Sequence, residues 1–142
     1  MNNSEDKAYR PQQAAALCLK RRKRKLYVLI ITSRQTKRWI IPKGWLEEDK
    51  TEAEVALVEA WEEAGVTADP TSPALIGSYH YDKRLRGAQE EPLEVNVYRI
   101  TSCSLAKRYP EKKRRQRKWV SLKKAAKMVG ERSLKRLILA QI

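Results

Sequence analysis

Between Gly44 and Val66 the chain reads GWLEEDKTEAEVALVEAWEEAGV, and this stretch constrains the fold more than any other. Thr51 and Glu54 form a T-x-x-E capping box, the local signal for a helix start. Val55, Ala56, Leu57, Val58, Ala60, Trp61 and Ala64 supply its apolar positions, and Gly65 is the expected left-handed terminator. On that helix Glu59, Glu62 and Glu63 fall at i, i+3 and i+4, within an arc of about 100°. Like charges at this spacing destabilise an isolated helix. A hard divalent cation held by carboxylate oxygens explains why they would be gathered there.

The acidic island stands in a basic protein. The formal charge is +14, from 31 basic and 17 acidic residues, and eight of the 17 lie between Glu47 and Glu63. The positive excess concentrates polyanions around the molecule: nucleic acids, nucleotides, polyphosphates or acidic membrane surfaces. At 142 residues the chain is expected to form one domain, 1–142, with a flexible start over about 1–11. Hydrophobic content of 42% argues against disorder. No apolar run approaches the roughly 20 residues of a membrane span, and the polar N-terminus lacks a signal-peptide core. Cys18 and Cys103 have no metal-type spacing, so a reduced, cytoplasmic setting is expected. They read as buried thiols or, less simply, as a disulfide pair.

Along the chain, Gln13–Leu19 and Leu26–Thr32 read as strands joined by the charged turn Lys20–Lys25, which lacks an Asn-Gly signal. Trp39–Ile41 is a short strand ended by Pro42, after which Gly44 opens a loop. Ala74–Tyr81 and Leu93–Ile100 read as strands separated by a polar loop, Asp82–Pro92. Lys118–Ser121 is a further short strand. Ser121 caps a helix running to about Val129, and a final helix covers 131–142. This order predicts an α/β fold, with helices packed on a mixed sheet.

The spacing Gly44, Glu59-Ala60, Glu62-Glu63, Gly65-Val66 resembles the Nudix hydrolase signature, G-x5-E-x7-R-E-U-x-E-E-x-G-U, where U is aliphatic. The sequence departs from it twice: Lys50 stands where the first Glu belongs and Val58 where the Arg belongs. In the family those two look like a structural pair, and their joint loss leaves no orphaned charge. The resemblance implies an α/β/α sandwich and hydrolysis of a phosphoanhydride. It also implies that Glu59, Glu62 and Glu63 form a catalytic metal centre with the Gly44 carbonyl, holding Mg²⁺ or Mn²⁺. One glutamate would act as base, with the choice left open. Glu90, Glu91 and Glu94 are candidates for a further carboxylate.

Arg38-Trp39-Ile40-Ile41-Pro42-Lys43-Gly44 and the tail Arg115–Ser121 are similar to segments of the diphosphoinositol polyphosphate and diadenosine polyphosphate hydrolase branch. The resemblance implies a densely phosphorylated small-molecule substrate, with Arg38, Lys43, Arg84, Arg86, Arg115 and Arg117 as phosphate-binding candidates. Within the same class a nucleoside triphosphate, ADP-ribose or capped RNA remains open. A different class is a non-catalytic module that uses the fold to bind polyanions or nucleic acid. The runs Lys20–Lys25 and Lys112–Lys118 read as solvated segments or as RNA-docking patches. Tyr79, Tyr81 and Trp39 are core residues or base-stacking platforms, and His80 reads as structural.

Overall fold

The structure, a computed structural model, describes the backbone of residues 11–84 and 90–142 and the side chains of residues 11–81 and 92–142. Its centre is β1 (Pro11–Arg22), which pairs antiparallel with β2 (Lys25–Thr32) and parallel with β7 (Glu90–Ile100). β3 (Trp39–Ile40) flanks β2, and β6 (Ala74–Arg84) flanks β7, giving the order β3-β2-β1-β7-β6. β4 (Lys43–Trp45) also joins β1, and β9 (Arg117–Ser121) also joins β2. A separate pair, β5 (Val66–Thr67) and β8 (Ser104–Leu105), closes over one end.

β1 is buried on both faces because helices pack on each side of the sheet, and so its pattern is continuously apolar rather than alternating. Ala14, Ala16 and Cys18 face α1 (Glu52–Ala64), where Val55, Ala56, Ala60 and Ala64 pack against them together with Leu29 and Ile31. Ala15, Leu17 and Leu19 face α2 (Leu122–Met128) and α3 (Arg132–Leu139), whose Leu122, Ala125, Leu134 and Ile138 complete a second core. Helices therefore cover both faces of a mixed sheet, as the sequence predicts. The small residues Ala56, Ala60 and Ala64 let the α1 backbone approach the alanines of β1.

α1 begins where its capping signal says. The Thr51 side chain accepts from Glu54 N–H while Glu54 accepts from Thr51 N–H, and Gly65 ends the helix at φ 69°. The first turn is also tied to the sheet, since Asn96 Nδ2 and Tyr98 Oη both donate to Glu52 Oε1 at 2.8 and 2.9 Å.

Several boundaries differ from the sequence reading. The basic run is mostly strand. β1 and β2 continue to the pair Arg22↔Lys25, leaving only Lys23 and Arg24 in the turn. Both have positive φ, 49° and 71°, as a primed two-residue turn requires even without glycine. Lys43–Trp45 is a strand instead of a loop because it finds Gln13–Ala15 as a partner. The Asp82–Pro92 loop shrinks for the same reason, with pairing continuing to Arg84↔Glu90. Pro11 opens β1, and the rest of the expected flexible start lies outside the described residues. Cys18 and Cys103 are free thiols, the first buried, so no disulfide forms.

Candidate active site

α1, β4 and the segment before β9 converge on an open cleft of about 790 Å³. Gly44, Glu59 and Glu63 line it, together with Lys43, Arg38 and Arg115. Gly44 lets β4 lie against Glu59: a Cβ on it would meet Glu59 Cδ at 2.5 Å and push that side chain aside. One residue earlier, the Lys43 N–H donates to Glu63 Oε1 at 3.2 Å. The strand thus holds Glu63 through its backbone and lies against Glu59.

Glu63 is 7% exposed. Burial, reinforced by the adjoining Glu59 carboxyl, pushes its pKa up to about 8 against the pull of Arg115. Glu59 is raised too, first by burial and then by Glu62, Glu111 and Glu47. The two carboxyls act on one another, Glu59 raising Glu63 while Glu63 lowers Glu59, so Glu63 favours the proton where a cation would otherwise supply positive charge. Arg115 completes the floor. Its guanidinium lies 3.5 Å from Glu63, donates to Glu111 at 2.8 Å and donates to the Thr32 carbonyl at 3.1 Å.

Of the expected trio of glutamates, Glu59 and Glu63 line the cleft. Glu62 shares the helix arc but does not line the cleft, and its carbonyl accepts the Glu111 N–H. Among the described residues, no three acidic, histidine or cysteine side chains are grouped closely enough to hold a metal ion as they stand. Two carboxylates nevertheless suit Mg²⁺, which keeps several waters and shares its remaining positions with substrate phosphates. Buried Glu63 and half-buried Glu59, both raised above the ordinary carboxylate range, therefore fit a divalent cation.

The basic candidates divide. Arg38, Lys43 and Arg115 all line the cleft. Burial lowers the Lys43 pKa, with Glu63 opposing, and the ammonium lies 5.3 Å from the centroid of the Tyr81 ring. Arg117 does not reach the cleft, which corrects its reading as a substrate residue. Its guanidinium donates to the carbonyls of Ala64 and Ala106 and stacks on Tyr109, closing the C-terminal end of α1. Gly65 makes room for it, since a Cβ there would lie 2.7 Å from the Arg117 guanidinium. The Arg84 side chain and all of Arg86 fall outside the described residues, as do the side chains of Glu90 and Glu91. Glu94 does not line the cleft and lies 3.2 Å from His80.

Sequence reasoning missed Glu111, Glu47 and Arg34, all of which line the cleft. Glu111 did carry a signal: it is the sole acid between Glu94 and Glu131 and stands four residues before Arg115. Lys50, at the position of the absent family glutamate, pairs with Glu47 at 3.2 Å, so the loop before α1 has a local brace. Tyr81 lines the cleft, whereas Tyr79 is core at 1% exposure.

The comparisons agree with this geometry. A family model described as NUDIX domain matches residues 10–140. Nudix hydrolase 4 of Arabidopsis thaliana is 31% identical over 100 residues, 70% of this chain and 46% of that protein. Diphosphoinositol polyphosphate phosphohydrolase 3-beta of Homo sapiens is 26% identical over 132 residues, 89% and 76% of the two chains. A solved NUDIX hydrolase from Nitrosomonas europaea superposes with a TM-score of 0.71 at 15% identity, covering 93% and 88%. This chain spans about half the length of the Arabidopsis relatives it matches. No helix among the described residues is long and apolar enough to cross a membrane. With the family model spanning nearly its whole length and the carboxylate helix facing its glycine strand, the chain belongs to the NUDIX domain family.

Proposed function

We propose that residues 1–142 form one catalytic unit, a Mg²⁺-dependent pyrophosphohydrolase that cleaves a phosphoanhydride in a densely phosphorylated small molecule. Mn²⁺ is a natural substitute. The observation that carries this reading is the placement of β4 against both carboxylates, with Gly44 on Glu59 and the Lys43 N–H on Glu63. These two, with the Gly44 carbonyl, would hold the ion. It would neutralise phosphate charge and lower the pKa of a bound water. Glu62 adds negative potential from the rim, where it already raises Glu59.

The chain's own residues do the rest. One of Glu59 and Glu63 takes the proton from the attacking water, a role worth about 10²- to 10⁴-fold in rate. Arg115 holds Glu63 in place through its contact there and its anchors on Glu111 and Thr32. Lys43, Arg34 and Arg38 line the outer cleft and bind the phosphates that the metal does not reach. Arg84 and Arg86 join this set on their place in the sequence alone. The substrate class follows from that basic rim and from the relative named a diphosphoinositol polyphosphate phosphohydrolase. A diphosphoinositol polyphosphate or a dinucleoside polyphosphate is therefore the expected substrate. Two free thiols suit a cytoplasmic setting.

The test is a panel of phosphoanhydrides incubated with Mg²⁺ or Mn²⁺ and wild type, Glu59→Gln or Glu63→Gln protein. Turnover of a polyphosphorylated member, lost by at least 10²-fold in either variant, is the expected result. Equal turnover by all three proteins, or none by any, would defeat the reading.

A further inference from the structure

Six consecutive cations, Lys20 to Lys25, take no part in the cleft. Gly44 pairs with Ala14 of β1, and Lys20 lies six residues further along that strand, about 20 Å at 3.3–3.4 Å per residue. Among the described residues none of the six is paired with a carboxylate, in contrast to Arg115 and Lys50.

The sheet sorts these side chains by face. Ala16 and Cys18 point to the α1 side, and side chains alternate along a strand, so Lys20 and Arg22 emerge on that same face. Leu29 and Ile31 of β2 point there too, which brings Lys25 and Tyr27 beside them. Trp119 of β9 is the register partner of Leu29. Together with Lys23 these residues line a groove of about 450 Å³, built wholly from β1, β2, β9 and the turn between the first two. Tyr27 and Trp119 are half-buried and fixed in the sheet, and the Lys20 ammonium lies 5.5 Å from the centroid of the Trp119 ring.

We infer that this groove binds single-stranded nucleic acid, with Lys20, Arg22, Lys23 and Lys25 on the phosphates and Tyr27 and Trp119 stacked on bases. Cations tracking a backbone beside aromatic platforms are what an unpaired strand requires. A duplex keeps its base faces inside the stack and offers the rings nothing. Inorganic polyphosphate would use the charges alone. A membrane surface would call for apolar groups at the hairpin tip, where Lys23 and Arg24 stand instead. On binding, the Lys20 ammonium leaves the Trp119 ring for a phosphate, which frees that ring face for a base. The site is independent of the proposed hydrolysis, and its test uses no turnover.

Fluorescence anisotropy of the full chain with labelled oligouridylate and oligothymidylate decides the matter. Both strands should bind more tightly than a duplex of equal charge, with log–log salt slopes of about −2 to −3 for four phosphate contacts. Arg22→Glu/Lys25→Glu, on exposed hairpin positions, should weaken binding at least tenfold. Lys124→Glu/Lys127→Glu, the same charge change on exposed positions of α2, should stay within about threefold, since a shared long-range field is all it alters. Tyr27→Leu should lose about tenfold and Tyr27→Phe should retain binding, because the ring is what stacks. Equal weakening by the two charge reversals would overturn the inference, as would duplex or polyphosphate binding as tightly as the single strands. A Tyr27→Phe protein that binds as poorly as Tyr27→Leu would overturn it as well.

Discussion

The two ends of β1 carry charge in opposite ways. At the end beside β4, Glu59, Glu63, Glu111, Lys43 and Arg115 line one cleft, where Arg115 bridges Glu63 and Glu111 and the Lys43 N–H meets Glu63. At the hairpin end six cations stand in water with no carboxylate beside them among the described residues. Enclosed charges respond to one another, so a single change there redistributes protons and geometry. Exposed charges respond mainly to a ligand and to salt. The same chain therefore has one end tuned for chemistry and another suited to capture.

The sharpest way to break this comparison is at Glu63. Glu63→Gln should cut turnover by at least 10²-fold, measured as phosphate or nucleotide release at saturating Mg²⁺. Gly44→Ala should come close to it, since a Cβ 2.5 Å from Glu59 Cδ forces that carboxylate aside. Misplacement of about 1 Å can cost about 10²-fold, and an unchanged thermal midpoint in that variant would confirm that the defect is local.

Removing a charge should separate the two ends in stability as well. Arg115→Met leaves Glu63 and Glu111 without their cation, and the side chain is only 9% exposed. Breaking such a buried pair costs about 3–5 kcal/mol, readable by chemical denaturation. Arg22→Glu/Lys25→Glu should leave the same denaturation curve almost unmoved, being surface changes of about 0.5 kcal/mol or less each.

Proton linkage gives a subtler contrast. In cation-free protein the Glu63 pKa is raised from 4.5 to about 8. The folded state then binds more protons than the unfolded state between those values, so stability is full below about 4.5 and falls as pH rises toward 8. Relative to Glu63→Gln, wild type should lose stability from pH 5 to 8, and added Mg²⁺ should raise its thermal midpoint more at pH 8 than at pH 6. A wild-type minus variant difference that is flat with pH would mean that Glu63 is already ionised near its ordinary value.

The smallest effect lies in the hairpin turn. Lys23 and Arg24 hold positive φ, where residues bearing a Cβ pay about 1–2 kcal/mol each. Lys23→Asn/Arg24→Gly should therefore stabilise the fold by about 1–2 kcal/mol, seen as a higher denaturation midpoint. Lower stability would mean that the turn is not of the primed type.

Local chemistry decided which features were legible in the sequence. The α1 helix, its Thr51–Glu54 cap, its Gly65 stop and the Glu59–Glu63 face can be read directly, because each signal lies within a few residues of what it controls. The inner strands of the sheet are legible from apolar runs. Pairing partners are not: Lys43–Trp45 looks like a loop until β1 offers an edge, and the β5–β8 pair is too short to show any period. The same limit applies to the site. Glu111 and Arg115 come to Glu63 from about 50 residues away, and no spacing rule reports that. Arg117 differs from Arg115 by two positions and points to α1's end instead, a distinction that depends on the register of β9.

The central claim is that Glu59 and Glu63 share a divalent cation at the Gly44 strand. Crystals soaked in Mn²⁺ and measured at the manganese edge test it most directly. The account predicts one anomalous peak in contact with both carboxylates and the Gly44 carbonyl oxygen, absent in Glu63→Gln crystals. Manganese found only on exposed acids such as Glu47 and Asp49, with none between Glu59 and Glu63, would contradict it.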